Sequence, residues 1–250
     1  MSIDPKSYQN VDDVLKDRVI LITGASDGIG RALALHSAKL GAQVILHGRS
    51  TKKLEAVYDE IIAIEGACRP SIAVLDLSIA DADAYVALVK NIETEFGRLD
   101  GLVHNASILG PRISIEQYDI SEWQRVLHVN LTAAFVLTQQ LLPLMHASED
   151  PSIIFTSSGV GRVGKPFWGA YSVSKFGTES LSQMLAAENA HNSLRSNCLN
   201  PGPVRTKMRL EAYPAEDRDS LVTPDEILPA YIYLLGPDSQ GITGQSFDIQ

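Results

Sequence analysis

The sequence has only two cysteines, Cys68 and Cys198, in 250 residues. They are too few for a disulfide framework and lack the paired spacing of a metal knuckle, so both read as reduced core thiols and no metal is expected. No run approaches 18 apolar residues, so no membrane span is expected. The opening Met1-Ser2-Ile3-Asp4-Pro5-Lys6 lacks a basic stretch followed by an apolar one, which argues against a leader and for a cytoplasmic location. Positive charge is also short: 21 Lys and Arg stand against 30 Asp and Glu, a net charge of −9. Such a chain suits neither nucleic acid nor an anionic membrane, and any anionic ligand must be held by local features. Repeats and low-complexity segments are missing too. The expectation is an N-terminal arm over 1–17 and a single domain over 18–250 that acts on a small molecule.

One stretch stands out against these absences. Thr23-Gly24-Ala25-Ser26-Asp27-Gly28-Ile29-Gly30 follows the apolar run Val19-Ile20-Leu21-Ile22 and opens into Arg31-Ala32-Leu33-Ala34-Leu35. A strand that turns through glycines into a helix N-terminus suits a diphosphate. Free N–H groups and the positive dipole end face the anion, and missing Cβ atoms permit close approach. The spacing is G-x-x-x-G-x-G, not the commoner G-x-G-x-x-G.

Strand and helix alternate downstream. Strands are expected near 18–22, 43–47, 72–75, 99–104, 152–156, 195–199 and 246–249. Helices are expected to end near Gly41, to run over 51–65 behind a Ser50 cap, and to carry Tyr85 through Phe96. Another is expected over 122–145 behind a Ser121/Gln124 capping box, and one begins at Tyr171. Thr223-Pro224-Asp225-Glu226 combines a cap, a first-turn proline and a capping-box glutamate. This series gives an α/β, doubly wound Rossmann-type domain with a mainly parallel sheet of about seven strands. Residues 206–222 are charged and irregular and read as a short lid. Ligands of such sheets bind at the carboxyl ends of the strands, where Gly24–Gly30, Arg49, Asp76, Asn105, Ser158 and Pro201–Thr206 all fall.

Tyr171 and Lys175 lie four apart on a helix and share a face. A phenol titrates near 10 and is a poor acid or base at neutral pH. A cation about 4 Å away, at an effective dielectric near 20, would contribute roughly 4 kcal/mol toward phenolate, about 3 pKa units. That would bring the phenol into working range for proton transfer. Ser158 could hydrogen-bond the oxygen that exchanges this proton. Alone, such a pair is most often an exposed helix face; the glycine loop and the strand-end serine tip the balance toward chemistry. Trp168 is either a substrate wall or a core residue.

The glycine loop, Asp76, His104-Asn105-Ala106, Asn130, Ser158, the run Tyr171-Ser172-Val173-Ser174-Lys175 and Pro201-Gly202 together resemble the short-chain dehydrogenase/reductases. The likeness covers about residues 15–250 and is closest to a bacterial oxidoreductase branch of that family. It implies Tyr171 as acid/base and Lys175 as the group that lowers its pKa and binds the nicotinamide ribose. It implies Ser158 as the carbonyl-orienting group and Asn130 as the holder of a water in the proton path. Gly24, Ser26, Asp27, Gly28, Ile29 and Gly30 would hold the cofactor's diphosphate side, Asp76 and Leu77 its adenine. Asn105, Ala106 and Ser107 would line the cleft, and Pro201, Gly202, Val204 and Thr206 would cover the nicotinamide.

A carboxylate ending the second strand would favour NAD. Arg49 and Ser50 stand there instead, with Ser26 nearby, and a guanidinium with hydroxyls suits a 2′-phosphate. NADP(H) is therefore favoured, with NAD as the alternative. Ser107 and His104 replace the usual glycine and first asparagine of N-N-A-G, and the usual twin glycine is absent from Ser246–Gln250. The expected activity is hydride transfer between the nicotinamide and a carbonyl or secondary alcohol. The rivals are an epimerase or dehydratase and a nucleotide sensor or scaffold without turnover. Apolar residues on more than one face of the helices bearing Asn130 and Tyr171 imply a homodimer or homotetramer.

Overall fold

The computed structural model describes residues 4–250. Seven strands form one sheet: β1 (Val19–Thr23), β2 (Gln43–Gly48), β3 (Ser71–Val74), β4 (Gly101–His104), β5 (Ser152–Thr156), β6 (Arg195–Asn200) and β7 (Ser246–Asp248). Their order is β3-β2-β1-β4-β5-β6-β7, and every neighbouring pair is parallel. The sheet is thus wholly parallel.

Val19 to Ile22 are all buried because both sheet faces are covered. Ile20 and Ile22 pack toward α1 (Gly28–Lys39), α2 (Thr51–Ile62) and α8 (Leu228–Leu235). Val19 and Leu21 pack toward α3 (Ala82–Phe96), α5 (Ala133–His146) and α6 (Gly169–Glu188). The order of strands reverses between β1 and β4. The crevice at their carboxyl ends is therefore the natural ligand site.

Several local expectations need correction. The helix expected from Glu122 is two helices, α4 (Ile120–Leu127) and α5, joined by a π-helical turn over His128–Thr132. Its cap is Asp119, whose carboxylate accepts from the N–H groups of Ser121 at 2.8 Å and Glu122 at 3.0 Å. Asp119 lies two residues ahead of Ser121, so the helix begins at Ile120 and Ser121 falls inside its first turn, past the cap position. Helix α2 stops at Ile62, ahead of Gly66, and Ser50 stands at its N-cap position without a side-chain cap bond. The expected irregular stretch 206–222 contains helix α7 (Lys207–Ala212) and a 3-10 turn over Arg218–Ser220. At Thr223 only half of the expected box forms: the Glu226 carboxylate accepts from the Thr223 N–H at 2.6 Å and from its hydroxyl at 2.8 Å, so the hydroxyl donates there and makes no side-chain cap bond.

Within the arm, Met1 to Ile3 lie outside the described residues. Tyr8 and Leu15 anchor the remainder, Tyr8 by a 2.8 Å bond to Asp238 and by its ring 5.3 Å from Tyr233. Val11, expected to be an anchor, is exposed. Cys198 is buried, but Cys68 is exposed and is no core thiol. No helix among the described residues is long and apolar enough to cross a membrane.

Candidate active site

Thr23, the last residue of β1, ties the crevice together. Its hydroxyl donates to the Val103 carbonyl at 3.1 Å and accepts from the N–H groups of Asn105 at 2.9 Å and Ala106 at 3.0 Å. Asn105 returns a bond from its amide to the Thr23 carbonyl at 3.1 Å. The glycine loop is pressed against this knot. A Cβ on Gly30 would lie 2.3 Å from the Gly24 carbonyl oxygen and 2.6 Å from Asn105 Nδ2. Gly24 has φ +68°, where a side chain would be strained, and its own Cβ would meet Ala106 Cα at 3.0 Å. Asp27 caps α1 by accepting from the Gly28 N–H at 2.8 Å. The remaining first-turn N–H groups can then serve a ligand.

At the end of β2, Ser26 leans over from the glycine loop: a Cβ on Gly48 would lie 3.7 Å from its Oγ. Arg49 follows, exposed and without an ion pair among the described residues. Beyond β3, the Asp76 carboxylate accepts from the Ser78 N–H at 2.9 Å and hydroxyl at 2.7 Å. These bonds, helped by the charge of Arg49, hold its pKa below the usual carboxylate range. Asp76 caps no helix, since Asp81 is the N-cap of α3, and Leu77 beside it is buried. Ser107 Oγ is buried with no partner in the protein.

Tyr171 lies in the first turn of α6, buried, and its phenol is close enough to the Ser158 side chain for that hydroxyl to favour the phenolate. The loop after β5 can lie flush on α6 because Gly161 has no side chain; a Cβ there would be 2.8 Å from Lys175 Cβ. Lys175 is buried as well, donating to the Thr156 carbonyl at 2.7 Å with Nζ 5.6 Å from the Tyr171 ring centroid. The expected depression of the phenol's pKa is not present. Burial pushes Tyr171 up to about 12, and the nearby Ser158 hydroxyl only partly offsets this. Burial also lowers Lys175 to about 8 against the pull of Cys198 and Glu179. A Coulomb argument with a solvated cation omits desolvation, which here is the larger effect on both groups.

Asn130 sits on the π-helical turn. Its Oδ1 accepts from the Ile108 N–H at 2.8 Å, and its Nδ2 donates to the Ile108 carbonyl at 2.9 Å and to Ser174 Oγ at 3.1 Å. Both amide hydrogens are used in pinning the loop after β4 to α6.

The segment Pro201–Thr206 is held by residues distant in sequence. Gly202, at φ +71°, donates to Asn200 Oδ1, while Gln250 Nε2 donates to the carbonyls of Pro201 at 2.6 Å and Pro203 at 3.1 Å. Val204 is buried and bridges to Val222. Thr206 caps α7 by accepting from the Arg209 N–H, and its methyl group would lie 3.4 Å from a Cβ on Gly28. The start of the lid therefore rests on the glycine loop. Trp168 joins Tyr171, Val126, Val160 and Ala212 in a small apolar cluster separate from the two sheet-face cores.

The crevice thus brings Gly24–Gly30, Asn105–Ser107, Ser158, Tyr171, Lys175 and Thr206 to one end of the sheet. Thr23 and Gln250 were missed in the sequence. Thr23 carried a weak signal as the hydroxyl residue opening the glycine loop; Gln250 carried none. Buried His47 and His104 lie beneath the site, His104 Nε2 bonded to Thr138 Oγ1 at 2.7 Å and its ring stacked on Phe155 at 4.7 Å.

Known proteins share this architecture. The sequence profile of the short chain dehydrogenases matches residues 18–217. The oxidoreductase YciK of Escherichia coli is 46% identical over 243 residues, which span 97% of this chain and 96% of that protein. A short chain dehydrogenase structure from Pseudomonas syringae superposes with a TM-score of 0.94 at 49% identity, covering 98% of this chain and 99% of that one. One from Escherichia coli CFT073, crystallised with NADPH, gives a TM-score of 0.94 at 46% identity over 96% of this chain and all of the other.

Proposed function

Because the chain belongs to the short-chain dehydrogenase family, we propose that this oxidoreductase moves hydride between NADP(H) and a carbonyl compound or secondary alcohol, with Tyr171 as general acid/base. The catalytic unit is residues 18–250 as one domain. The observation that carries the reading is the buried Tyr171 with buried Lys175 one helical turn on and half-buried Ser158 beside its phenol, at the same strand ends as the glycine cradle.

The residues fit a dinucleotide. Gly24 and Gly30 leave a cradle in which a Cβ would collide with backbone, and α1 turns its first N–H groups toward it. Asp27, Gly28 and Ile29 would complete the diphosphate site, with Asp76 and Leu77 at the adenine and Asn105, Ala106 and Ser107 along the ribose side. Ser26, Arg49 and Ser50 suit a 2′-phosphate: Arg49 forms no ion pair among the described residues and the Ser50 hydroxyl is not used as a cap. The NADPH complex of the related Escherichia coli CFT073 protein supports the same choice. Tyr171 and Lys175 would hold the nicotinamide ribose, and Pro201, Gly202, Val204 and Thr206 would cover the ring. When bound, this cofactor supplies or accepts the hydride.

The chain's own residues handle the proton. With its pKa raised to about 12, Tyr171 holds its hydrogen at neutral pH, which suits donation to a carbonyl oxygen and hence reduction. Ser158 would bond the same oxygen and fix its distance from the phenol. A water relay at Asn130 would have to use an oxygen, since both amide hydrogens are engaged. Exposed Val173, Phe176 and Met184 form an apolar stripe along α6, which supports pairing of subunits through that helix. Tyr171→Phe tests the assignment. Turnover of aldehydes and ketones should fall at least a hundredfold, while NADPH affinity stays unchanged by titration. Full activity in that variant, or tight NADPH binding by the wild type with no turnover across a broad panel, would overturn the reading.

A further inference from the structure

Four arginines turn the Nε–Nη2 edge of the guanidinium toward a carboxylate: Arg31 to Glu60, Arg125 to Glu122, Arg195 to Asp150 and Arg209 to Glu216. That edge matches the two oxygens of a carboxylate and makes a fork. Arg112 offers the same edge to no carboxylate among the described residues. Its Nη1 donates to the Ala212 carbonyl, while its buried Nε and its Nη2 have no partner among the described residues.

Arg112 stands on the loop after β4, at the wall of the active centre. Its guanidinium carbon lies 4.5 Å from the ring centroid of Trp168 and 4.7 Å from that of Tyr213, two tilted rings 6.0 Å apart that flank it on adjacent sides. The Trp168 ring is in turn 5.6 Å from Tyr171. A second arginine, Arg209, stacks on Tyr213 at 4.0 Å, but Glu216 satisfies it. A role confined to fastening the loop to α7 would need only the Ala212 bond and the stacking. It leaves both Nη2 and the buried Nε without an acceptor among the described residues, and a buried donor without an acceptor is costly, although the Nε atoms of Arg18 and Arg205 share that state. With a net charge of −9, the protein's overall field repels an anionic substrate, so recognition would require such a desolvated local cation.

We propose that Arg112 is a specificity-determining residue that forks the carboxylate of the substrate, so that this active centre works on oxo acids or the corresponding hydroxy acids. The proposal rests on Tyr171 as the reacting centre. The spacing through Trp168 calls for a short chain between the carbonyl and the carboxylate.

The test compares straight-chain oxo acids with their methyl esters in NADPH-linked turnover. The wild type should prefer the acids. Arg112→Met, which keeps bulk against the rings, should lower kcat/KM for the acids about a hundredfold, the loss expected for a charge-assisted fork, and leave the esters nearly unchanged. Arg112→Lys should fall between, keeping charge without the fork. Equal use of acid and ester by the wild type, or equal loss of both in Arg112→Met, would overturn the proposal. A readout independent of turnover is calorimetric binding of glutarate and of dimethyl glutarate to NADPH-loaded Tyr171→Phe. Glutarate should bind more tightly than its ester, and adding Arg112→Met should erase that difference. If glutarate gains nothing over its ester, the role of Arg112 fails while that of Tyr171 stands. If Tyr171→Phe is fully active yet glutarate binding still depends on Arg112, the reverse holds.

Discussion

Replacing Gly30 with alanine should weaken both the fold and its hold on the dinucleotide, although the same change stabilises most helices. Inside a helix, glycine to alanine is ordinarily favourable by about 0.5–1 kcal/mol. At Gly30 the new Cβ would stand 2.3 Å from the Gly24 carbonyl oxygen and 2.6 Å from Asn105 Nδ2, where ordinary contact begins at 3.4 Å. Neither neighbour can retreat easily. Gly24 is already within contact of Ala106, and Asn105 is held at both its N–H and its amide by Thr23. Overpacking of this kind costs roughly 1–3 kcal/mol, and losing the Asn105–Thr23 side-chain bond adds about 1 kcal/mol. The clash therefore outweighs the propensity gain, with a net loss of about 1–3 kcal/mol. For a chain this long that is a fall in Tm of roughly 3–10 °C. Because the displaced groups form the proposed diphosphate cradle, Kd for NADPH should rise at least tenfold, or about 1.4 kcal/mol. Gly177→Ala on α6 is the control, since its Cβ would meet only the side chain of Leu131, which can turn away. Thermal unfolding and fluorescence titration with NADPH measure both effects. A Gly30→Ala protein as stable as the wild type, with unchanged Kd, would refute the reasoning.

Acid should destabilise the protein through His47 and His104, whose burial lowers their pKa values to about 4 and about 3. The unfolded chain takes up protons near pH 6.5 while the native state does not, so stability falls as pH drops from 6.5 toward 4. At pH 5 the loss is about 2 kcal/mol per histidine. Urea unfolding at pH 7 and pH 5 measures it; His47→Leu should remove about half the decline, and equal wild-type stability at the two pH values would contradict the assignment. Phe176→Glu, in the exposed stripe of α6, should shift the sedimentation profile at micromolar concentration from dimer or tetramer to monomer, and a wild type already monomeric would reject subunit pairing through this face.

The glycine spacing at 24, 28 and 30, the Tyr171/Lys175 pair and the strand-end position of Ser158 were all legible in the sequence. Each is a local pattern: a turn that needs missing side chains, two residues one helical turn apart, a polar residue directly after an apolar run. The parallel sheet was legible for the same reason, as an uninterrupted alternation of strands and helices. Capping was less secure. Asp119 and Ser121 are both competent, and only the path of the backbone between them shows which reaches the free N–H groups.

The rest depends on contacts between residues far apart in the chain. Gln250 holds Pro201 and Pro203, Thr23 holds Asn105 and Ala106, and Arg112 packs against both Trp168 and Tyr213. The charge state of the site falls in the same class. Helical spacing places Lys175 near Tyr171 but says nothing of how deeply either is buried, and desolvation sets both pKa values. The sequence by itself determined that this chain folds as a parallel α/β sheet with a glycine cradle and a tyrosine–lysine pair at its strand ends, because periodicity and turn chemistry act over a few residues. Only the tertiary structure decided that the phenol stays protonated and that the Arg112 edge beside Trp168 meets no carboxylate among the described residues, because burial and long-range packing are properties of the assembled fold.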